Sequence, residues 1–165
     1  TKNRIFNFII MDAKKNNEAT EFQDIVYKYF KEEWGWNIIH HTNIEKQFKE
    51  GENNAGIEIK NDQQMRNYPN LFITISREYY DCTVPSGIMK KHNKRFYVQG
   101  VAEKFYIFGL NDLIRYYNKN KSTLKHKTGY TTGGGGKENG FLLPQETADK
   151  IAFEVYTKQK QLTLV

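Results

Sequence analysis

Cysteine is nearly absent from this 165-residue chain, with Cys82 standing alone. That excludes an internal disulfide and any multi-cysteine zinc site, and it suits a reducing compartment. Long apolar runs are missing too. The longest, Phe105 to Leu110, falls far short of the ~20 residues that cross a bilayer as a helix. The start carries no signal-peptide pattern, and Thr1 in place of Met reads as a trimmed beginning. A soluble, cytoplasmic protein is expected. The run Gly133-Gly134-Gly135-Gly136 is not followed by Gly-Lys-Ser/Thr and no strand leads directly into it, so a flexible connector is expected there rather than a phosphate-binding loop. No internal repeat is visible, and at this length one domain with one core is expected over 1–165.

What the chain has in excess is positive charge, 25 Lys and Arg against 19 Asp and Glu for a formal net of +6. The lysines are spread among Asn, Tyr and Phe, a mixture that suits a polyanionic partner. Aromatic residues make up 15%, enough bulk to fill the core of a folded domain.

The densest chemistry lies in Gly51-Glu52-Asn53-Asn54-Ala55-Gly56-Ile57-Glu58-Ile59-Lys60. Side chains alternate along a strand, so Glu58 and Lys60 share one face while Ile57 and Ile59 share the other. The apolar pair is suited to burial and the charged pair to a cleft. Glu52 lies upstream in a Gly/Asn-rich turn able to fold it back beside Glu58. Two acids with a neighbouring ammonium make a candidate divalent-metal pocket for phosphodiester hydrolysis. The competing reading is an exposed ion-pair face with no function.

Around this motif the spacing of apolar residues predicts a helix from Glu18 to Glu33, begun by Asn16 or Asn17, with Glu18, Glu21 and Asp24 beside its apolar stripe. Strands are expected at Trp36 to Thr42, Ala55 to Asn61 and Leu71 to Ser76. A hairpin around Gly100 follows, from Arg95 to Gln99 and Lys104 to Phe108, then a short helix from Asn111 to Tyr117 capped by Asn111. Residues 118–140, with Lys119, Lys121, Lys125, His126 and Lys127 and then the glycine run, are expected to form a mobile basic loop or lid that contacts nucleic acid. Phe141 to Pro144 returns to the sheet, and Gln145 to Lys158 reads as a final helix. The fold class is α/β: a central mixed β-sheet, holding both the Ala55–Asn61 and Leu71–Ser76 segments, flanked by the first and last helices.

Other residues take plainer readings. His40 and His41 face opposite ways on a strand and cannot chelate one metal together. His92 and His126, among lysines, read as phosphate contacts. Cys82 has no assigned base to activate it. Tyr79 and Tyr80 either stack on bases or fill the core.

A helix with an acid, a strand, then acid, short gap and Glu-x-Lys on a second strand resembles the PD-(D/E)xK nuclease superfamily, whose fold is restriction-endonuclease-like. The short step from Glu52 to Glu58 is similar to that of the mismatch-repair nicking enzyme and its restriction-enzyme relatives. The resemblance covers roughly residues 18 to 76. The first acid is usually Asp; here it is Glu52, since Asn53 and Asn54 follow. Asn70-Leu71-Phe72-Ile73, Pro85-Ser86-Gly87-Ile88 and Phe96-Tyr97-Val98 are similar to small phage and mobile-element members, which act inside the host cell.

The resemblance implies a Mg²⁺-dependent DNA endonuclease, with Mn²⁺ as a substitute. Glu52, Glu58 and the Ile59 carbonyl are the expected metal ligands. Glu21 is expected to hold a second ion or the water network, and Lys60, strongly charged beside two carboxylates, to orient water or stabilise the phosphorane. RNA as substrate and pairing of two chains stay open. The alternative is a non-catalytic basic nucleic-acid-binding module.

Overall fold

The computed structural model describes residues 2–130 and 136–158, with side chains described from residue 17 onward except that of Tyr130. The chain divides into two compact units, Thr1–Ile38 and Ile39–Val165.

The first unit is built on one long helix, α1 (Lys2–Trp34). Phe22, Val26 and Phe30, four residues apart, are buried, as the helical spacing requires. The helix begins sixteen residues earlier than the Glu18 start expected, so neither Asn16 nor Asn17 caps it. Gly35, at φ 69°, ends it, and its amide donates to the Lys31 carbonyl at 3.1 Å. Trp34 and Trp36 pack edge to face at 5.8 Å across that turn.

The second unit opens with an extended segment in place of the expected 36–42 strand. Its one ladder contact is an isolated bridge from His40 to Asn53. A short helix the apolar spacing did not suggest follows, α2 (Ile44–Glu50), capped by the Asn43 side chain and closed at Gly51. Then come β1 (Glu58–Asn61), β2 (Asn70–Glu78), β3 (Thr83–Pro85), β4 (Phe96–Val101), β5 (Lys104–Gly109), α3 (Leu110–Asn120), β6 (His126–Tyr130), β7 (Lys137–Pro144), α4 (Gln145–Ile151) and β8 (Glu154–Thr157).

The strands form two four-stranded sheets, β1-β4-β5-β8 and β3-β2-β7-β6. The first is mixed, with β1 parallel to β4 and the remaining pairs antiparallel. The second is antiparallel throughout. This corrects the single central sheet: β1 and β2 belong to different sheets. Strand periodicity reports which residues share a face, whereas the partner is chosen by contacts distant in sequence. One core joins the sheets, with Leu71 and Ile73 of β2 and Phe141 and Leu143 of β7 packed with Tyr97, Val101, Tyr106 and Phe108 of β4 and β5. Leu110 and Leu113 of α3 and Ala148 of α4 complete it.

Three more expectations change. The basic stretch is not one loop: β6 pairs with β7 over five registered positions, from His126–Phe141 to Tyr130–Lys137. Residues 131–135, with most of the glycine run, lie outside the described residues. The final helix stops at Ile151, and Val155, Tyr156 and Thr157 instead pair with β5 as an edge strand. β-branched and aromatic residues favour that choice once an open edge is beside them. Gly109, not Asn111, stands at the start of α3. The β4–β5 hairpin forms, but its turn lies at Ala102 and Glu103, and Gly100, around which it was expected, pairs with Phe105 inside the ladder.

Candidate active site

The turn that carries Glu52 is held by asparagine chemistry. Asn53, almost wholly buried, accepts from the amides of Ala55 and Ile57 at 3.1 Å each and donates to the Ile57 carbonyl at 2.7 Å. Short polar side chains satisfy turn backbone in this way. The Asn54 side chain accepts from the Ile39 amide at 2.9 Å, and the His41 amide donates to the Glu52 carbonyl at 2.8 Å. Gly51 and Gly56 take positive φ, 92° and 65°. At Gly56 a Cβ would also lie 2.9 Å from the His92 carbonyl oxygen. These constraints bend residues 51–56 so that Glu52 returns to β1.

Glu58 and Lys60 both line a cleft of about 1080 Å³, together with Glu52, Ile59, Thr74, Arg77, Lys90 and Glu138. The two acids converge on one cation, the Lys90 ammonium. Its Nζ donates to both oxygens of Glu58, at 2.7 and 2.8 Å, and lies 3.5 Å from Glu52 Oε1. Lys60 Nζ donates to Thr74 Oγ1 at 2.7 Å, sits 3.8 Å from Glu138 Oε2 and lies 5.2 Å above the centre of the Phe72 ring. Arg77 grips the other oxygen of Glu138 at 2.7 Å. The register of β2 against β7 shifts between Thr74 and Ser76, a bulge of the kind that re-aims side chains. Thr74 is the residue just before it.

Burial and charge act differently on the three ionisable groups nearest the motif. Burial raises the Glu58 pKa above its ordinary value of 4.5, Lys90 pulls it down, and Glu52 adds to the rise. Burial lowers the Lys60 pKa below 10.5, only partly offset by Glu138, Asp62 and Glu58. The acids beside Lys60 therefore do not raise its pKa as their charge alone would: desolvation outweighs them. Lys90 is also penalised by burial, but Glu58 and Glu52 overcome that and its pKa is raised. Beneath the cleft, buried Gln99 accepts from Tyr97 Oη at 2.8 Å and donates to Asp62 Oδ2 at 2.6 Å.

Glu52, Glu58, Ile59 and Lys60 are therefore brought together, as the motif suggests. Every residue lining the cleft comes from the second unit, whereas Glu21 is an exposed residue of α1 in the first. Lys119 at the end of α3, Lys121 and Lys125 in the connection that follows it, and Lys127 on β6 are exposed, and none of them lines the cleft. Lys90, Thr74, Arg77 and Glu138 were not legible in sequence. Lys90 lies thirty residues beyond Lys60, and Glu138 falls in a stretch without hydrophobic period. His41 is buried with Nδ1 2.9 Å from the Gly51 carbonyl oxygen, while His40 is exposed.

Among the described residues, no group of three or more His, Cys, Asp or Glu side chains is set to hold a metal ion. Two carboxylates that already share one cationic centre nonetheless fit a Mg²⁺ ion, which is commonly held by one or two carboxylates with substrate phosphate and waters completing its shell. Compared with family models, curated proteins and solved structures, the chain matches none.

Proposed function

We propose that the chain is a metal-dependent DNA endonuclease of restriction-endonuclease-like type, its active site the cleft over β1. The observation that carries this reading is the convergence of Glu52 and Glu58 on one cationic centre, with Lys60 on the same strand face as Glu58. Glu52 and Glu58 would hold Mg²⁺, with the Ile59 carbonyl beside them, and the bound ion supplies Lewis-acid polarisation of the phosphate and a more acidic water. Lys60, on the same strand face as Glu58, orients the attacking water, whose proton passes to solvent as the new phosphorus–oxygen bond forms, and offsets the charge that builds on the phosphorane. The opposite phosphorus–oxygen bond breaks and the departing sugar oxygen takes up a proton from solvent water. Lys90, its charge stabilised by Glu58 and Glu52, binds a phosphate oxygen and offsets the charge that develops there.

The test is cleavage of supercoiled, linear and branched DNA, and of RNA, in Mg²⁺, Mn²⁺ or EDTA. Glu58→Gln and Lys60→Ala should each lose on the order of 10²–10³ in turnover, as when one preorganised group is deleted. Affinity for DNA should change little. Folded variants that cut at the wild-type rate would overturn the assignment. The ion pairs from Lys90 favour one second reading, a nucleic-acid-binding module in which the acids only orient a phosphate-binding lysine. In that case binding is unaffected by Mg²⁺ and no strand is cut.

A further inference from the structure

Helix α2 is out of keeping with the rest of the unit because none of its residues is buried. Ile44 and Phe48, four apart and so on one helical face, are 82% and 85% exposed. Both line the cleft that contains Glu58 and Lys60, as do the exposed Tyr79 and Val84 near the β2–β3 turn. Exposed apolar side chains on two elements thus border a site whose floor is charged. Scattered apolar residues on a surface need no explanation, but their concentration at the mouth of one cleft does.

The charges around them indicate the occupant. Each acid of the floor is already paired, Glu52 and Glu58 with Lys90 and Glu138 with Arg77 and Lys60. Exposed Lys49 and Lys91 add positive charge to the lining, so the cleft as a whole favours a polyanion over an acidic or apolar protein surface. A ligand that is both polyanionic and rich in flat apolar faces is a nucleic acid with its bases accessible. In a duplex those faces are covered by neighbouring bases, and only phosphates and base edges meet the protein. Unpaired nucleotides present both, and their binding sites combine a basic groove with side chains on which bases stack.

We infer that Ile44 and Phe48 of α2 form a base-contacting platform for unpaired nucleotides entering the cleft, which makes single-stranded or splayed nucleic acid the preferred substrate class. This inference rests on the nuclease reading of the cleft floor. Phe48 supplies the stacking face, Ile44 packs against the next base or sugar, and Lys49 and Lys91 engage phosphates on either side.

The test is fluorescence anisotropy in EDTA, where no turnover is needed, using one labelled sequence as single strand, blunt duplex and splayed-arm duplex. The single strand and splayed arm should bind more tightly than the blunt duplex. Phe48→Ala should lower single-strand affinity on the order of tenfold, within the range of losing one stacked base. Blunt-duplex affinity should stay as it was. Because α2 buries none of its own residues, this variant should fold normally, and Ile44→Ser with Phe48→Ser gives a second, stronger version.

Equal affinity for all three nucleic acids, or no effect of either variant on the single strand, overturns the inference. So does a change in oligomeric state by sedimentation with unchanged nucleic-acid binding, which would make the platform a protein-docking face. The two readings fail separately. A protein that cuts DNA without preferring unpaired strands loses only the inference, and one that prefers unpaired strands without cutting loses only the nuclease assignment.

Discussion

Two ammonium groups flank Glu58, and their surroundings move them in opposite directions. Lys60 is lowered because burial exceeds the pull of Glu138, Asp62 and Glu58. Lys90 is raised, despite burial, because both acids of the motif face it. Titration of ¹³C-methylated lysines by NMR should therefore place Lys60 below and Lys90 above 10.5. The signs follow for stability. Folding weakens proton binding at Lys60, so its penalty is full below its lowered pKa and relieved as pH rises from there to 10.5. At Lys90 the gain is full below 10.5 and lost as pH rises through the raised pKa. Removing Lys90 exposes the cost of Glu58, whose side chain is only 14% exposed. Lys90 itself is more than one-third exposed, so Lys90→Met should cost about 2 kcal/mol at neutral pH, between the values for exposed and buried pairs. Because the raised pKa of Glu58 reflects a carboxylate costly to ionise, this deficit should shrink as pH falls through that pKa. Urea unfolding at neutral and acid pH measures it.

At the scale of elements, the approach of backbones shapes the cleft. Gly87 holds φ 53°, and a Cβ there would lie 2.1 Å from the Thr74 carbonyl oxygen. The turn that carries Lys90 rests on β2 because residue 87 has no side chain. Gly87→Ala should cost at least ~1–3 kcal/mol from backbone strain alone, with the clash adding to it, and should weaken cleavage by parting Lys90 from Glu58. Gly35→Ala is the matched comparison. Its φ of 69° is also positive, yet nothing lies within 4 Å, so only conformational strain of ~1 kcal/mol is expected. Chemical denaturation of both variants separates the two contributions. The β6–β7 pairing gives another measurable outcome. Ladder amides in His126–Tyr130 should be protected from hydrogen exchange in the free protein, against the mobile lid suggested by composition. Rapid exchange at all of them would contradict this pairing.

At the scale of the whole molecule, the net charge of +6 predicts nucleic-acid binding that weakens steeply with salt. The slope of log affinity against log salt should be about −0.7 per phosphate contacted on a single strand and about −0.9 on duplex DNA. Changing Lys119, Lys121, Lys125 and Lys127 together to glutamine should flatten the slope if these exposed lysines contact phosphate. Turnover of the bound substrate should be retained, because none of the four lines the cleft. Anisotropy and cleavage at stepped salt concentrations test both statements.

Sequence alone determined whatever depends on neighbours along the chain. Alternation on a strand put Glu58 and Lys60 on one face, Gly51 and Gly56 with Asn53 and Asn54 marked the turn that returns Glu52, and apolar spacing marked the helix through Phe22, Val26 and Phe30. Local period also drew the β4–β5 hairpin. It failed where a segment's state depends on a distant partner. Val155 to Thr157 continues a helical pattern but meets the open edge of β5, and His126 to Tyr130 has no period yet completes its hydrogen bonds against β7. The cleft divides in the same way. Tertiary structure alone decided that Lys90, Thr74 and Glu138 complete it, because turns and sheet pairing bring Lys60 beside Glu138, seventy-eight positions away. It also decided that Lys60 holds its proton loosely, since desolvation is set by the fold packed around a side chain and not by the acids beside it in sequence.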